Sequence, residues 1–139
     1  MAEVRVVEGI GASADAVWEL VRDFGGVMKW SSAVQSCEVE GEGIGAVRTL
    51  ALPGGAAIRE RLERFEDAGR SFSYSILDGP LPVDDYLATL VVRARGADRC
   101  EVDWASTFQP KGLSEEQALG IIRGVYEGGI REIKKNLEK

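Results

Sequence analysis

The sequence predicts an α+β fold: an antiparallel sheet of about seven strands wrapped around one long C-terminal helix. Three observations carry that expectation. Residues 114–137 repeat apolar side chains at steps of three and four, and residues 36–109 switch to a period of two broken by short turns. The order of segments is strand, two short helices, meander and long helix, with no internal repeat and no linker. At 139 residues the chain is expected to be a single domain, residues 1–139, large enough to bury a sizeable core or to enclose a pocket.

Each element has its own signal. Residues 2–10 alternate around Val4 and Val6 before Gly9 and Gly11, which reads as the first strand. Ser13 is a helix cap, after which Val17, Leu20, Val21 and Phe24 form a buried stripe with Trp18 at its edge, and Gly25-Gly26 stops the helix. A second short helix is expected from Val27 to Trp30. Strands follow at roughly 36–41, 45–52, 57–66, 70–77, 85–95 and 99–109, and the short breaks between them imply antiparallel neighbours.

The last helix opens with a capping box, Ser114 and Gln117, which partners backbone donors of the first turn. Glu115 and Glu116 lie at its positive end, and Lys134, Lys135 and Lys139 at its negative end. Ala118, Ile122, Val125, Tyr126, Gly129, Ile130, Ile133 and Leu137 share the apolar face. Gly120, Gly124, Gly128 and Gly129 each weaken the isolated helix by roughly 0.8–1 kcal/mol relative to Ala, so packing must hold it. Gly129 is expected to widen an internal cavity, whereas the other three form a stripe on or beside the solvent face, suited to the approach of a partner subunit.

Composition narrows the chemistry. A net charge of −6 and the absence of Lys/Arg runs argue against nucleic acid and anionic lipid as partners. No apolar run reaches the length of a membrane span, so no membrane insertion is expected and the default compartment is the cytoplasm. Cys37 and Cys100 stand far apart without a CxxC pattern, so no metal site is expected. The count of zero histidines removes Ser-His-Asp and Cys-His catalysis, leaving carboxylates, Tyr, Arg and Lys for any proton transfer. Gly43-Ile44-Gly45 is not a dinucleotide fingerprint, because the third glycine is missing and a strand follows. No cofactor is implied.

Strand alternation groups the candidate site residues. Arg48, Leu50 and Leu52 share a face, and Ile58, Glu60 and Leu62 lie across from them. Tyr74 and Ile76, then Tyr86, Ala88 and Leu90, then Asp103, Ala105 and Thr107 are expected to continue that face. A set made only for packing needs no Arg48, Glu60, Tyr86 or Asp103, and buried polar groups must pair or bind something. Ile122, Tyr126 and Ile130 of the last helix are expected to cover the space, with Ile133 and Leu137 packing its base.

The chain resembles the polyketide cyclase/dehydrase and lipid-transport family of the START-like, helix-grip (SRPBCC) superfamily. The resemblance runs through Gly-Ile-Gly-Ala-Val-Arg at 43–48, Pro-Gly-Gly at 53–55, Glu-Arg-Leu-Glu at 60–63, Ser-Tyr-Ser-Ile at 73–76, Tyr-Leu-Ala-Thr-Leu at 86–90 and Asp-Trp-Ala-Ser-Thr-Phe at 103–108. It implies a seven-stranded sheet gripping the C-terminal helix, with two short helices closing one end and an apolar ligand cavity between. The chain is also similar to plant abscisic-acid receptors, whose gate and latch loops match residues 53–57 and 79–85. It lacks the receptors' Ser-Gly-Leu-Pro-Ala and His-Arg-Leu motifs and has Gln35 where they carry a lysine. Lachrymatory-factor synthases are similar too, and their arginine and glutamate match Arg48 and Glu60.

Three functions follow. The first is binding of a small, largely apolar ligand (lipid, polyketide or isoprenoid-like) in the cavity, lined by Leu50, Leu52, Ile58, Leu62, Tyr74, Ile76, Ala88, Asp103, Ala105, Ile122, Tyr126 and Ile130. The second is a cofactor-independent cyclase, dehydratase or isomerase with Glu60 as acid/base beside Arg48 and Tyr86. The third is a ligand-gated regulator of a protein partner acting through the loop at 53–57. The protein itself is expected to be a monomer or homodimer.

Overall fold

The computed structural model describes residues 1–138. The strands are β1 (Ala2–Ile10), β2 (Ser36–Glu40), β3 (Val47–Ala51), β4 (Ala57–Glu66), β5 (Ser71–Asp78), β6 (Val83–Ala94) and β7 (Cys100–Pro110). They form one antiparallel sheet in the order β1-β7-β6-β5-β4-β3-β2. The first strand therefore pairs with the last, and β1 and β2 are left as the two edges. Helix α1 (Ala14–Val21) and a 3₁₀ turn at Val27–Lys29 follow β1, and helix α2 (Glu115–Leu137) closes the chain.

Local chemistry explains the helix ends. Ser13 Oγ accepts a hydrogen bond from the Ala16 amide at 3.1 Å and starts α1. In α2 the Ser114 side chain accepts from the Gln117 amide while the Gln117 side chain accepts from the Ser114 amide, so both halves of the capping box are present. Lys134 and Lys135 occupy the last turn, and Lys139 lies outside the described residues. The expected second helix is only a single 3₁₀ turn, and α1 stops before Phe24. Trp18 is buried instead of edge-lying: its indole packs against Phe65 and Phe72 and donates to Asp67 Oδ1 at 2.8 Å.

The concave face of the sheet carries the interior side chains, namely Val4 and Val6 of β1, Val102, Trp104, Ser106 and Phe108 of β7, and the matching positions of β3 to β6. Helix α2 lies against β1 and β7. Ala118, Ile122, Tyr126, Ile130 and Ile133 are fully buried on its inner face. Val125, expected to be among them, is exposed. It stands one residue, about 100° of helix rotation, from the buried Tyr126, which carries it off the inner face.

The pleat of β7 overturns one expected grouping. Asp103, Ala105 and Thr107 lie on the convex face, because Val102, Trp104, Ser106 and Phe108 take the concave one. Asp103 is nonetheless 4% exposed. Its Oδ2 accepts from Arg5 and Arg93, each at 2.7 Å, so the carboxylate is buried beneath two cross-strand arginines and not by the core.

Gly129 lines the cavity, as expected, and has a second role. A Cβ there would lie 2.8 Å from Trp104 Cζ3, so the space the glycine leaves is already filled by an indole ring. At Gly120 a Cβ would meet nothing within 4 Å. Gly120→Ala is therefore expected to stabilise the fold by roughly 0.5–1 kcal/mol through helix propensity alone. Gly129→Ala gains the same propensity but overpacks the ring, and is expected to destabilise by about 1–2 kcal/mol net. Thermal or denaturant unfolding of the two variants shows the opposite signs.

Candidate functional site

Between α2 and the far half of the sheet lies a cavity of about 570 Å³. It exists because α2 rests on β1 and β7, while β3 to β6 curve away from it. Its walls are Arg48 and Leu50 of β3, Ile58 and Glu60 of β4, Phe72, Tyr74 and Ile76 of β5, and Tyr86 and Leu90 of β6. Leu52 and Leu81 contribute from the loops, and Trp104, Trp30, Val27 and Ile122 close it.

Arg48 and Glu60 are direct cross-strand partners of β3 and β4, which brings their side chains together by register alone. Glu60 Oε1 lies 2.8 Å from Arg48 Nε and 2.7 Å from Nη2, and both residues are 6% exposed. Nη1 donates to the Phe24 carbonyl at 2.8 Å, and the guanidinium lies over the Phe24 ring at 4.0 Å. Glu60 Oε2 accepts no hydrogen bond among the described residues, yet it is not among their sealed, unpartnered atoms, so it opens on the cavity.

The second polar feature is a chain of phenols. Trp104 Nε1 donates to Tyr74 Oη at 3.1 Å, Tyr74 Oη lies 3.4 Å from Tyr86 Oη, and Tyr86 Oη is hydrogen-bonded to Tyr126 Oη. Burial pushes Tyr74 and Tyr86 well above the usual phenol range and raises Tyr126 as well, so all three stay neutral donors and acceptors. These are the three tyrosines of the chain. Near the cavity's edge β2 carries Cys37, whose thiol burial pushes up, away from the reactive thiolate.

The mouth is bordered by Gly124, Val125, Gly128, Arg131 and Lys135 of α2 and by Ser31, Ala33 and Val34 on the opposite side. Two glycines of the stripe expected to suit a partner subunit thus also belong to the cavity's rim. Glu132, also at the rim, accepts a hydrogen bond from Ser32 Oγ across it.

Of the expected site residues, Arg48, Glu60, Leu50, Leu52, Ile58, Tyr74, Ile76, Tyr86 and Ile122 line the cavity. Leu62, Ala88, Tyr126 and Ile130 are buried in the core but form no part of its wall. Leu62 and Ala88 point to the right face but lie where packing leaves no gap, and Tyr126 and Ile130 are covered by the Trp104 side of the helix seat. Asp103 and Ala105 are on the other side of the sheet. Sequence reasoning missed Trp30 and Trp104 as walls, although a Trp at the alternate position to Asp103 was a signal that the pleat ran the other way.

A curved antiparallel sheet closed on a C-terminal helix, with a mostly apolar hollow and one internal ion pair, defines a helix-grip protein with a small-molecule-sized pocket. The chain belongs to the family described as polyketide cyclase / dehydrase and lipid transport, whose model matches residues 1–138. That membership supports ligand binding or cyclase-type chemistry in general. The protein XoxI from Bacillus cereus is 33% identical, with a TM-score of 0.92 over 99% of this chain and 96% of that one. An uncharacterised protein from Bacillus thuringiensis is also 33% identical, with a TM-score of 0.91 over 96% of this chain and 97% of that one. Norcoclaurine synthase from Thalictrum flavum, solved with dopamine and hydroxybenzaldehyde, shares the fold at 19% identity, with a TM-score of 0.73 over 96% of this chain and 84% of that one. Among the described residues no helix is long and apolar enough to cross a membrane.

Two outcomes test this geometry. The raised tyrosines hold their protons in the folded state after the unfolded chain has released them near pH 10, the ordinary phenol value. Their contribution is intact below pH 10 and is lost above it, with a limiting slope of roughly 4 kcal/mol per pH unit for three protons. Tyrosinate absorbance is therefore expected to appear only together with loss of the far-ultraviolet signal of the sheet. At the rim a Cβ on Gly124 meets nothing within 4 Å, so Gly124→Leu is expected to fold normally. It narrows the mouth, so entry and exit of a probe that the cavity admits, followed with 2-naphthol by stopped-flow fluorescence, are both expected to slow by about tenfold while the Kd stays within about twofold.

Proposed function

We propose that the protein binds and carries a small, largely apolar molecule, of lipid, polyketide or isoprenoid type, in the cavity between the sheet and α2. The observation that carries this reading is the composition of the wall, in which leucine, isoleucine and aromatic side chains surround a single Arg48–Glu60 pair. Such a pair is often no more stable than an apolar replacement, so its retention inside a hollow supports a use for the polar end of a ligand. Leu50, Leu52, Ile58, Ile76 and Ile122 take the apolar body in this reading, and Tyr74 and Tyr86 offer hydroxyls beside the ion pair.

The free Glu60 Oε2 favours a second reading, a cofactor-independent cyclase, dehydratase or isomerase. Glu60 would move a proton there, while Arg48 and the neutral Tyr86 hydroxyl stabilise developing negative charge on oxygen.

Native mass spectrometry of protein purified from its source tests the first reading. The expected result is a population carrying one added mass that is lost on denaturation and absent from a cavity-filled Leu50→Trp variant. Equal retention of that mass by the filled variant would place the ligand elsewhere. Once the molecule is known, assaying its conversion separates the two readings: a carrier releases it chemically unaltered from wild type and Glu60→Gln alike, whereas an enzyme turns it over and loses that turnover by about 10²-fold or more in Glu60→Gln.

A further inference from the structure

We propose, on the strength of the ligand-binding reading above, that the cavity selects neutral, hydroxyl-bearing apolar molecules and rejects carboxylates. The argument begins with charge. Inside the cavity the Arg48 cation is already neutralised at 2.7 Å by Glu60, and both are 6% exposed. Among the described residues no second cation stands beside them, since the other charged wall residues, Arg131, Glu132 and Lys135, are on α2 at the rim. An entering carboxylate would come to rest against Glu60, in surroundings too apolar to screen the repulsion.

Hydrogen-bond capacity points the same way. The open oxygen of the pair, Glu60 Oε2, is an acceptor and demands a donor. A guanidinium has five N–H bonds, of which Arg48 directs one from Nε to Glu60 and one from Nη1 to the Phe24 carbonyl, with Nη2 in ion-pair contact with Glu60 Oε1. What the pair offers is thus one acceptor beside N–H groups still free to donate. A hydroxyl, which gives one hydrogen bond and takes another, satisfies both. An ammonium can only donate and a carboxylate only accept. Tyr74 Oη accepts from the Trp104 indole and Tyr86 Oη is hydrogen-bonded to Tyr126; a phenol proton still free to donate serves a hydroxyl as well as a carboxylate, so the charge of Glu60 decides between them.

The test uses three probes of one shape, 2-naphthol, naphthalene and 2-naphthoic acid, titrated into the intact protein at pH 7 with quenching of tryptophan fluorescence as readout. The expected order is naphthol tightest, naphthalene next and ionised naphthoate weakest, by roughly 100-fold against naphthol. In Glu60→Gln, where Arg48 is left uncompensated, the preference is expected to invert toward naphthoate. Should that variant fail to fold, the wild-type order decides by itself, with the Arg48 Nε–H resonance shifted by naphthol and not by naphthalene. Naphthoate binding as tightly as naphthol overturns the inference while leaving ligand binding standing. Failure of all three to bind overturns the ligand-binding reading and the inference with it.

Discussion

Trp104 lies face to face with Tyr126 at 4.5 Å between ring centroids, tilted by only 16°. That stack seats α2 on β7, and Gly129 lets the indole come within van der Waals distance of the helix backbone. An aromatic pair of this kind adds about 0.5–1.5 kcal/mol beyond the area it buries. Its larger effect is geometric. With the helix fixed to the β1–β7 side, its inner face cannot also reach β3, β4 and β5, and the curvature of the sheet leaves a hollow there. Trp30 meets Trp104 edge to face at 6.3 Å and carries the same seat into the turn after α1.

The polar groups of the interior are arranged around that seat and not scattered. Trp104 donates into the phenol chain, so the residue that positions the helix also begins the hydrogen-bond network. Its second member, Tyr74, lies beside the Arg48–Glu60 pair, with the guanidinium 5.3 Å from the Tyr74 ring. Arg48 in turn holds the Phe24 carbonyl, which fastens the segment after α1 to β3. Buried polar atoms in this core therefore nearly all have partners; the exceptions among the described residues are Asp103 Oδ1 and Ser106 Oγ.

How far the fold could be read in advance depended on which residues broke symmetry. Strand positions were legible because turns such as Pro53-Gly54-Gly55 and Asp67-Ala68-Gly69 punctuate a steady period of two, and the long helix because its cap and its apolar steps agree. The face of a strand was legible where polar and apolar residues alternate, as at Arg48, Leu50 and Glu60. It failed at β7, where Val102, Asp103, Trp104, Ala105 and Ser106 mix both kinds on both faces. Asp103 looked like a companion of Glu60, but two arginines from β1 and β6, distant in sequence, neutralise it on the outer face. The rim could not be seen at all, because Val125 and the glycines beside it differ from core positions only by a rotation of α2 that tertiary contacts set.

The two unpaired edges, β1 and β2, give the hollow an uneven stiffness. Its floor is a ladder of backbone hydrogen bonds from β3 to β7, interrupted by register shifts in the β4–β5 and β6–β7 pairs, in which a strand moves only by breaking several bonds at once. Its cover shares no backbone ladder with it: α2, the 3₁₀ turn and residues 31–34 meet the sheet through packed side chains, the Tyr86–Tyr126 hydrogen bond and the Lys134–Glu8 ion pair. Any change in the size of the hollow therefore falls on the cover before it falls on the floor. The strands set its shape, and the seat of the helix sets its depth.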